Sequence, residues 1–121
     1  MEFIESSLFT KLVSQYFSDE EYRAFQTFLI LNPEAGDLIS GTGGFRKVRW
    51  SDSARGKGKR GGTRIIYYYF QQDLQIWLMT LYGKGEVSDL TASEKKTLKA
   101  SIDNETAARM KDKVKILKRR N

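Results

Sequence analysis

The chain has 121 residues, no Cys and no His, and its formal net charge is +6 at neutral pH. This length suits one domain with one hydrophobic core. The absence of Cys excludes disulfides and thiolate chemistry, and the absence of His removes the commonest general base and metal ligand. The first residues, MEFIESSLF, do not resemble an export signal, and no apolar run approaches the ~18 residues of a membrane span. We therefore expect a cytoplasmic protein.

The charges are sorted along the chain. Residues 1–44 carry seven acidic and two basic side chains, whereas residues 45–70 carry eight basic and one acidic, and residues 91–121 carry ten basic and four acidic. Sorting of this kind builds a positive field that attracts polyanions. The basic segment 45–70 is therefore predicted to face an anionic partner.

The first third of the chain predicts a short edge strand followed by two helices. The first helix begins at Ser7 and shows apolar residues at helical spacing. The second begins with a capping box over Ser18 to Glu21, and Phe17 and Tyr22 are placed to form a hydrophobic staple. It ends before Pro33, because proline disfavours the helical conformation of the preceding residue. The following residues, to position 44, predict a loop.

From Phe45 the apolar period changes to two residues, which predicts a strand. Val48 and Trp50 lie on one face of this strand, and Lys47 and Arg49 lie on the other. One face is thus expected to join the core while the other stays charged.

Residues 63–71 and 75–82 are rich in β-branched and aromatic side chains and predict a hairpin. A final helix is predicted to begin at Thr91 and to extend to Arg120, with its weakest point at residues 101–104. These elements predict an α+β fold: a small antiparallel sheet with two N-terminal helices packed on it and a C-terminal helix.

Two other kinds of site are disfavoured. The glycines at 41–44 and 56–62 lack the G-x4-G-K-[ST] spacing of a nucleotide phosphate loop and do not lead from a strand into a helix. Glu86 and Asp89 form a carboxylate pair, but capping the following helix is their favoured role. No metal site and no cofactor is implied.

Arg64 is the leading candidate for a functional residue. It begins an otherwise apolar central strand, where a charge is costly unless it is paired or faces an open cleft. The nearby cations and aromatic rings provide phosphate contacts together with flat faces for bases, which favours RNA as the ligand. The candidate RNA-binding residues are Arg46, Lys57, Lys59, Arg60 and Tyr68.

Three blocks of sequence resemble the HigB-type branch of the RelE toxin superfamily. They are residues 41–47 (GTGGFRK), 56–68 (GKGKRGGTRIIYY) and 82–91 (YGKGEVSDLT). The resemblance covers roughly residues 2–102. It implies a RelE-like toxin domain over residues 1–121, in which 103–121 is a basic helical extension that the family core lacks.

The resemblance also implies a function and a set of catalytic residues. Toxins of this superfamily enter the ribosomal A site, cut mRNA and are silenced by a cognate antitoxin, here expected to be a helix-turn-helix protein of HigA type. By this resemblance Arg64 holds the scissile phosphate, and Lys47 and Arg49 assist through charge and proton transfer.

At two positions the chain departs from that pattern. Gly85 and Thr91 stand where the best-studied relatives place a further arginine and a tyrosine. Tyr82 and Lys84 lie nearby in the sequence and are the candidates to replace those catalytic roles.

The expected reaction uses the 2′-hydroxyl of RNA as its nucleophile, so it needs positioning, charge stabilisation and proton transfer but no metal ion. Lys47 is the first candidate for proton transfer and Tyr82 the second. Two alternatives stay open: a ParE-like toxin that acts on DNA gyrase without cutting RNA, and a non-toxic RNA-binding module.

Overall fold

The computed structural model describes residues 1–51, 62–86 and 90–120, which form five strands and three helices. The predicted α+β class is confirmed. In chain order the elements are β1 (Glu2–Glu5), α1 (Ser7–Tyr16), α2 (Asp19–Leu31), β2 (Asp37–Leu38), β3 (Arg46–Trp50), β4 (Thr63–Phe70), β5 (Gln75–Gly83) and α3 (Ala92–Arg120).

The sheet has the strand order β1-β5-β4-β3-β2. β1 runs parallel to β5, and the other neighbouring strands are antiparallel, so the sheet is mixed and the expectation of an antiparallel sheet is wrong at this edge. A parallel pair requires a long connection, and here nearly the whole sheet lies between β1 and β5 in the chain. The opposite edge is β2, whose two residues lie in the predicted loop and are too few to show any periodicity.

The predicted start of α2 is confirmed by its hydrogen bonds. The Ser18 hydroxyl accepts from the Glu21 amide and the Glu21 carboxylate accepts from the Ser18 amide, each at 3.2 Å. The Phe17 and Tyr22 rings stack with centroids 6.0 Å apart, as expected for a staple. α2 ends at Leu31, one residue before its C-cap Asn32.

Helices α1 and α2 pack on one face of the sheet. The buried residues of this core come from both helices and from β3, β4 and β5: Phe9, Phe17, Phe25, Leu29, Val48, Ile65, Tyr67, Ile76, Leu78 and Leu81. Trp50 lies at its border and contacts two α2 rings, Phe25 and Phe28, each with centroids 5.4 Å away. The predicted alternation of β3 is therefore confirmed, since Val48 and Trp50 face the helices.

The chain divides into two compact units. One comprises Met1–Ile39 and Phe45–Asp89, and the other comprises Ser40–Gly44 and Leu90–Asn121. The five-stranded sheet with α1 and α2 belongs to the first unit, and α3 belongs to the second. The expectation of a single domain over residues 1–121 stays a prediction.

The start of α3 differs from the expected cap. The Thr91 hydroxyl accepts from the Glu94 amide at 3.1 Å, and the Glu94 carboxylate accepts from the Thr91 amide at 2.8 Å, which forms a capping box. The hydrogen bond from the Thr91 amide, and after it the contact with the Thr91 side chain, lower the pKa of the Glu94 carboxyl. The role predicted for Glu86 as a cap is therefore wrong, and Asp89 lies outside the described residues.

α3 is continuous through residues 101–104, where the sequence predicts its weakest point. Two side-chain pairs four residues apart bracket this segment, Lys99 with Asp103 and Glu105 with Arg109, each at 2.8 Å. Such pairs stabilise a helix, and Ile102, between Lys99 and Asp103 in the chain, is buried. In the described part of the chain, no helix has the length and apolar content needed to cross a bilayer.

Candidate functional site

The strand register brings three of the predicted catalytic residues into line on the sheet face opposite to α1 and α2. Arg49 on β3 is the direct cross-strand partner of Arg64 on β4, and Arg64 is the partner of Tyr82 on β5. Residues paired in this way point to the same face of a sheet and lie 4.5–5.5 Å apart at Cβ. We call these three residues the cross-strand row. Lys47 lies on the same face, two positions before Arg49 on β3.

A β-bulge in β5 determines the face on which Tyr82 lies. The register shifts between the pairs of Ile66 and Tyr67, so that Met79 is an extra residue in β5. Leu78 and Leu81 both face the core although they are three positions apart, which a regular strand does not allow. Tyr82 is thereby moved from the core face to that of the cross-strand row, as bulges near functional sites are known to do.

Ser6, the N-cap of α1, contacts this bulge directly. Its hydroxyl donates to the Met79 carbonyl at 2.6 Å and accepts from the Phe9 amide at 3.0 Å. The Ser6 amide donates to the Leu78 carbonyl at 3.0 Å. One residue therefore caps the first helix and ties its start to the bulged segment of β5.

The side chains of both arginines reach Gly62, the residue before β4. Arg64 Nη1 donates to the Gly62 carbonyl at 3.0 Å, and a Cβ placed on Gly62 would lie 3.1 Å from Arg49 Nε. Gly62 has a φ of +69°, a conformation that favours glycine. The two guanidinium groups thus both lie close to Gly62, at the end of the sheet where β4 begins.

Two like charges directly opposite each other on neighbouring strands destabilise a sheet by several tenths of a kcal/mol, or about 1 kcal/mol at most. An anion bound between the two guanidinium groups interacts favourably with both, because its charge is opposite to theirs. Arg49 is exposed, while Arg64 and Lys47 are half-buried. The cations of the cross-strand row are therefore accessible to an anionic ligand, whereas the Tyr82 side chain is buried, with 8% of it exposed.

The turn after β5 carries Lys84 and is held by Glu86. The Glu86 carboxylate accepts from the Gly83 amide at 2.6 Å and from the Tyr16 hydroxyl at 2.7 and 2.8 Å. Burial, together with the hydrogen bond to Glu86, raises the pKa of the Tyr16 hydroxyl. Lys84 is exposed in this turn, two positions beyond Tyr82 and just after the end of β5, so it lies outside the strand pairing that aligns the cross-strand row.

Arg46 lies on the other face of β3. It pairs with Tyr67, whose ring is fully buried in the core beneath α1 and α2. Its Nη1 donates to the Gly36 carbonyl at 2.8 Å and to the Glu34 carbonyl at 3.2 Å. These contacts hold the loop before β2, so the structure does not bring Arg46 together with the cross-strand row.

Tyr68 shares the face of Arg64 but packs into an aromatic cluster. Its ring centroid lies 5.4 Å from that of Phe45 and 4.6 Å from that of Phe70. It is half-buried, so only part of its ring is accessible for stacking on a base. The other predicted RNA contacts, Lys57, Lys59 and Arg60, lie outside the described residues.

Among residues 1–51, 62–86 and 90–120, no three acidic side chains lie close enough together to share a metal ion. The site that the structure does assemble consists of Arg49, Arg64, Tyr82 and Lys47, and Lys84 lies in the turn that follows β5. Sequence reasoning missed the bulge and the role of Gly62, because β5 is apolar on both faces and Gly62 is the last glycine of a glycine-rich run. A search against protein-family models finds no match for this chain.

Proposed function

We propose that this protein is a RelE-superfamily toxin of the HigB type, and that it is a metal-independent, ribosome-dependent mRNA endoribonuclease. The observation that carries the proposal is the cross-strand register of Arg49, Arg64 and Tyr82. It supports the role that the sequence resemblance implies for Arg64, because a second cation and a phenol lie beside it. A site with two guanidinium groups suits a phosphodiester better than a neutral ligand.

Arg64 and Arg49 bind the scissile phosphate in this proposal. A guanidinium has five N–H donors in a planar fork, which matches two phosphate oxygens at once. The hydrogen bond from Arg64 to Gly62 orients the group and uses one of those donors. As the phosphorus becomes pentacoordinate its equatorial oxygens gain negative charge, which the two arginines stabilise.

The 2′-oxygen attacks the adjacent phosphorus while the bond from phosphorus to the 5′-oxygen breaks. The proton of the 2′-hydroxyl passes to a base, and the leaving 5′-oxygen takes up a proton. Lys47 is the first candidate for these transfers and Tyr82 the second, since both lie on the face of Arg64. The products are a 2′,3′-cyclic phosphate and a 5′-hydroxyl, and DNA does not react because it lacks the nucleophile.

The proposed setting follows from the same resemblance. The toxin works in the cytoplasm, its substrate is mRNA on the ribosome, and a HigA-type helix-turn-helix antitoxin encoded beside it is its inhibitor. The charge of residues 45–64 favours an antitoxin segment that is acidic. Association with such a segment weakens and slows as salt is raised, since exposed charges are screened beyond about 8 Å at physiological ionic strength.

Cleavage of mRNA on purified ribosomes tests the proposal. Arg49→Gln and Arg64→Gln are compared with Arg23→Gln, which removes an exposed arginine from α2 on the opposite face of the sheet. Loss of one charge-stabilising donor is expected to slow cleavage by about 100- to 1000-fold, and Arg23→Gln is expected to have no effect. A substrate with a 2′-deoxy nucleotide at the cut position should stay intact. Cleavage of that substrate, or equal rates for all three variants, contradicts the proposal.

The two proton-transfer candidates are separated by their pH profiles. Single-turnover cleavage by the parent is expected to keep rising past neutrality, where an enzyme with a histidine base levels off. Lys47→Ala should both slow the reaction and flatten this rise. If it changes neither the rate nor the profile, the assignment moves to Tyr82, and Tyr82→Phe is the variant to measure.

A further inference from the structure

The second half of α3 carries an exposed apolar stripe with strict spacing. Ala107, Met110, Val114 and Leu117 follow one another at intervals of three, four and three residues, which places them along one side of the helix. Met110, Val114 and Leu117 are 60%, 42% and 61% exposed. Toward the helix start the stripe ends at the ion pair of Lys99 with Asp103.

Lysines border this stripe on both sides. Lys111 and Lys118 lie along one border and Lys113 along the other, while the only acid between residues 106 and 119, Asp112, lies on the opposite side of the helix. An apolar seam with charged borders is the pattern by which one helix selects another in a coiled coil, where opposite charges at the borders attract and like charges repel.

We propose that this stripe is a docking surface for an acidic amphipathic helix of another protein, which packs Leu- or Val-type residues on the stripe and places Glu or Asp beside the lysines. The proposal is independent of the nuclease function. The stripe is about 15 Å long, so the complex is weak and sensitive to salt.

Two other occupants fit less well. A second copy of the same helix would bring lysines against lysines at both borders, which is repulsive. A membrane surface selects helices with a broad apolar face that includes Trp or Phe, whereas this stripe is narrow and α3 contains no aromatic residue.

The probe is a fluorescent helical peptide with Leu and Val at its seam positions and Glu at the bordering positions, titrated with the full chain. Its twin carries Lys in place of Glu. The acidic peptide is expected to bind, more weakly as salt rises, and the basic twin is not. No binding of the acidic peptide, or equal binding of both peptides, overturns the proposal.

Neighbouring residues provide matched controls. Leu117→Gln is expected to weaken binding about tenfold or more, since it removes a buried apolar contact. Ile116→Gln should have no effect, because Ile116 is 50% exposed but lies on another side of the helix. Lys118→Glu should weaken binding about threefold or more, whereas Arg119→Glu, away from the stripe, should not. If Ile116→Gln weakens binding as much as Leu117→Gln, and Arg119→Glu as much as Lys118→Glu, the stripe is not the docking surface.

Two further measurements test the rejected occupants. Sedimentation of the parent and of Leu117→Gln, each alone, measures self-association. The two proteins are expected to show the same oligomeric state. Anionic phospholipid vesicles are expected to bind the parent and Leu117→Gln equally. A dimer, or vesicle binding, that depends on Leu117 assigns the stripe to that occupant and overturns the proposal.

Discussion

Adding one methyl group at Gly62 tests whether the arginines of the cross-strand row are held as the structure shows. Gly62 has a φ of +69°, and a Cβ there would lie 3.1 Å from Arg49 Nε, 3.1 Å from Ser51 Oγ and 3.2 Å from the Trp50 carbonyl. Ordinary van der Waals contacts of a Cβ lie at 3.4–4 Å. Gly62→Ala therefore combines backbone strain with displacement of the Arg49 guanidinium.

Gly85 is the matched control. Its φ is +84°, so alanine meets a similar backbone strain there, but a Cβ would have no neighbour within 4 Å. The strain costs about 1–2 kcal/mol in either variant. Crowding adds about 1–3 kcal/mol at Gly62 alone, so Gly62→Ala is expected to lose about 2–5 kcal/mol of unfolding free energy in total.

Urea unfolding of the two variants gives this comparison, provided that the slope of the transition stays that of the parent. RNA cleavage by the folded protein should fall in Gly62→Ala and should change little in Gly85→Ala. Equal losses of stability in the two variants, together with unchanged cleavage by Gly62→Ala, would refute the contact between Gly62 and Arg49.

Three further predictions concern the scaffold. Tyr67→Phe removes a buried hydroxyl that donates to the Pro33 carbonyl at 2.9 Å and accepts from the Gly36 amide at 3.0 Å. Urea unfolding should therefore show a loss of about 2–4 kcal/mol of unfolding free energy, and the control Tyr69→Phe should lose about 0.5 kcal/mol or less. Burial and the hydrogen bond to Glu5 raise the pKa of Tyr22 above 10.0, so this tyrosine ionises at lower pH in the unfolded chain than in the folded protein. The unfolding free energy should therefore fall above pH 10, and it should fall less in Tyr22→Phe. Ser6→Ala should cost about 1–3 kcal/mol in the same unfolding assay and increase amide exchange around the bulge, and Ser6→Thr, which keeps the hydroxyl, should restore most of both.

The local elements of the fold could be predicted because their causes lie in neighbouring residues. The capping box at Ser18, the stop before Pro33 and the alternation around Val48 each act within a few positions of the chain. The sequence predicts β1 as an edge strand, but its parallel pairing with β5 depends on residues more than seventy positions away. β2 could not be predicted, since its two residues are ordered by pairing with β3.

The candidate site was predictable in its residues but not in its geometry. The sequence points to Arg64 because a charge at the start of an apolar strand is costly unless it is paired or faces an open cleft. Its alignment with Tyr82 depends on the bulge at Met79. The sequence does not reveal this bulge, because β5 is apolar on both faces and shows no alternation that the extra residue would interrupt. The alternation predicted for β3 already places Arg46 and Arg49 on opposite faces, but the sequence does not show that Arg46 contacts the loop before β2.

The most direct measurement of the central claim is to map mRNA ends in cells after brief induction of the parent and of Arg64→Ala. We predict new 5′-hydroxyl ends inside translated frames with the parent, and none with Arg64→Ala made at the same level and folded as judged by its unfolding midpoint. Intact mRNA with the parent, accompanied by inhibited DNA supercoiling, would contradict the nuclease and favour a toxin that acts on gyrase.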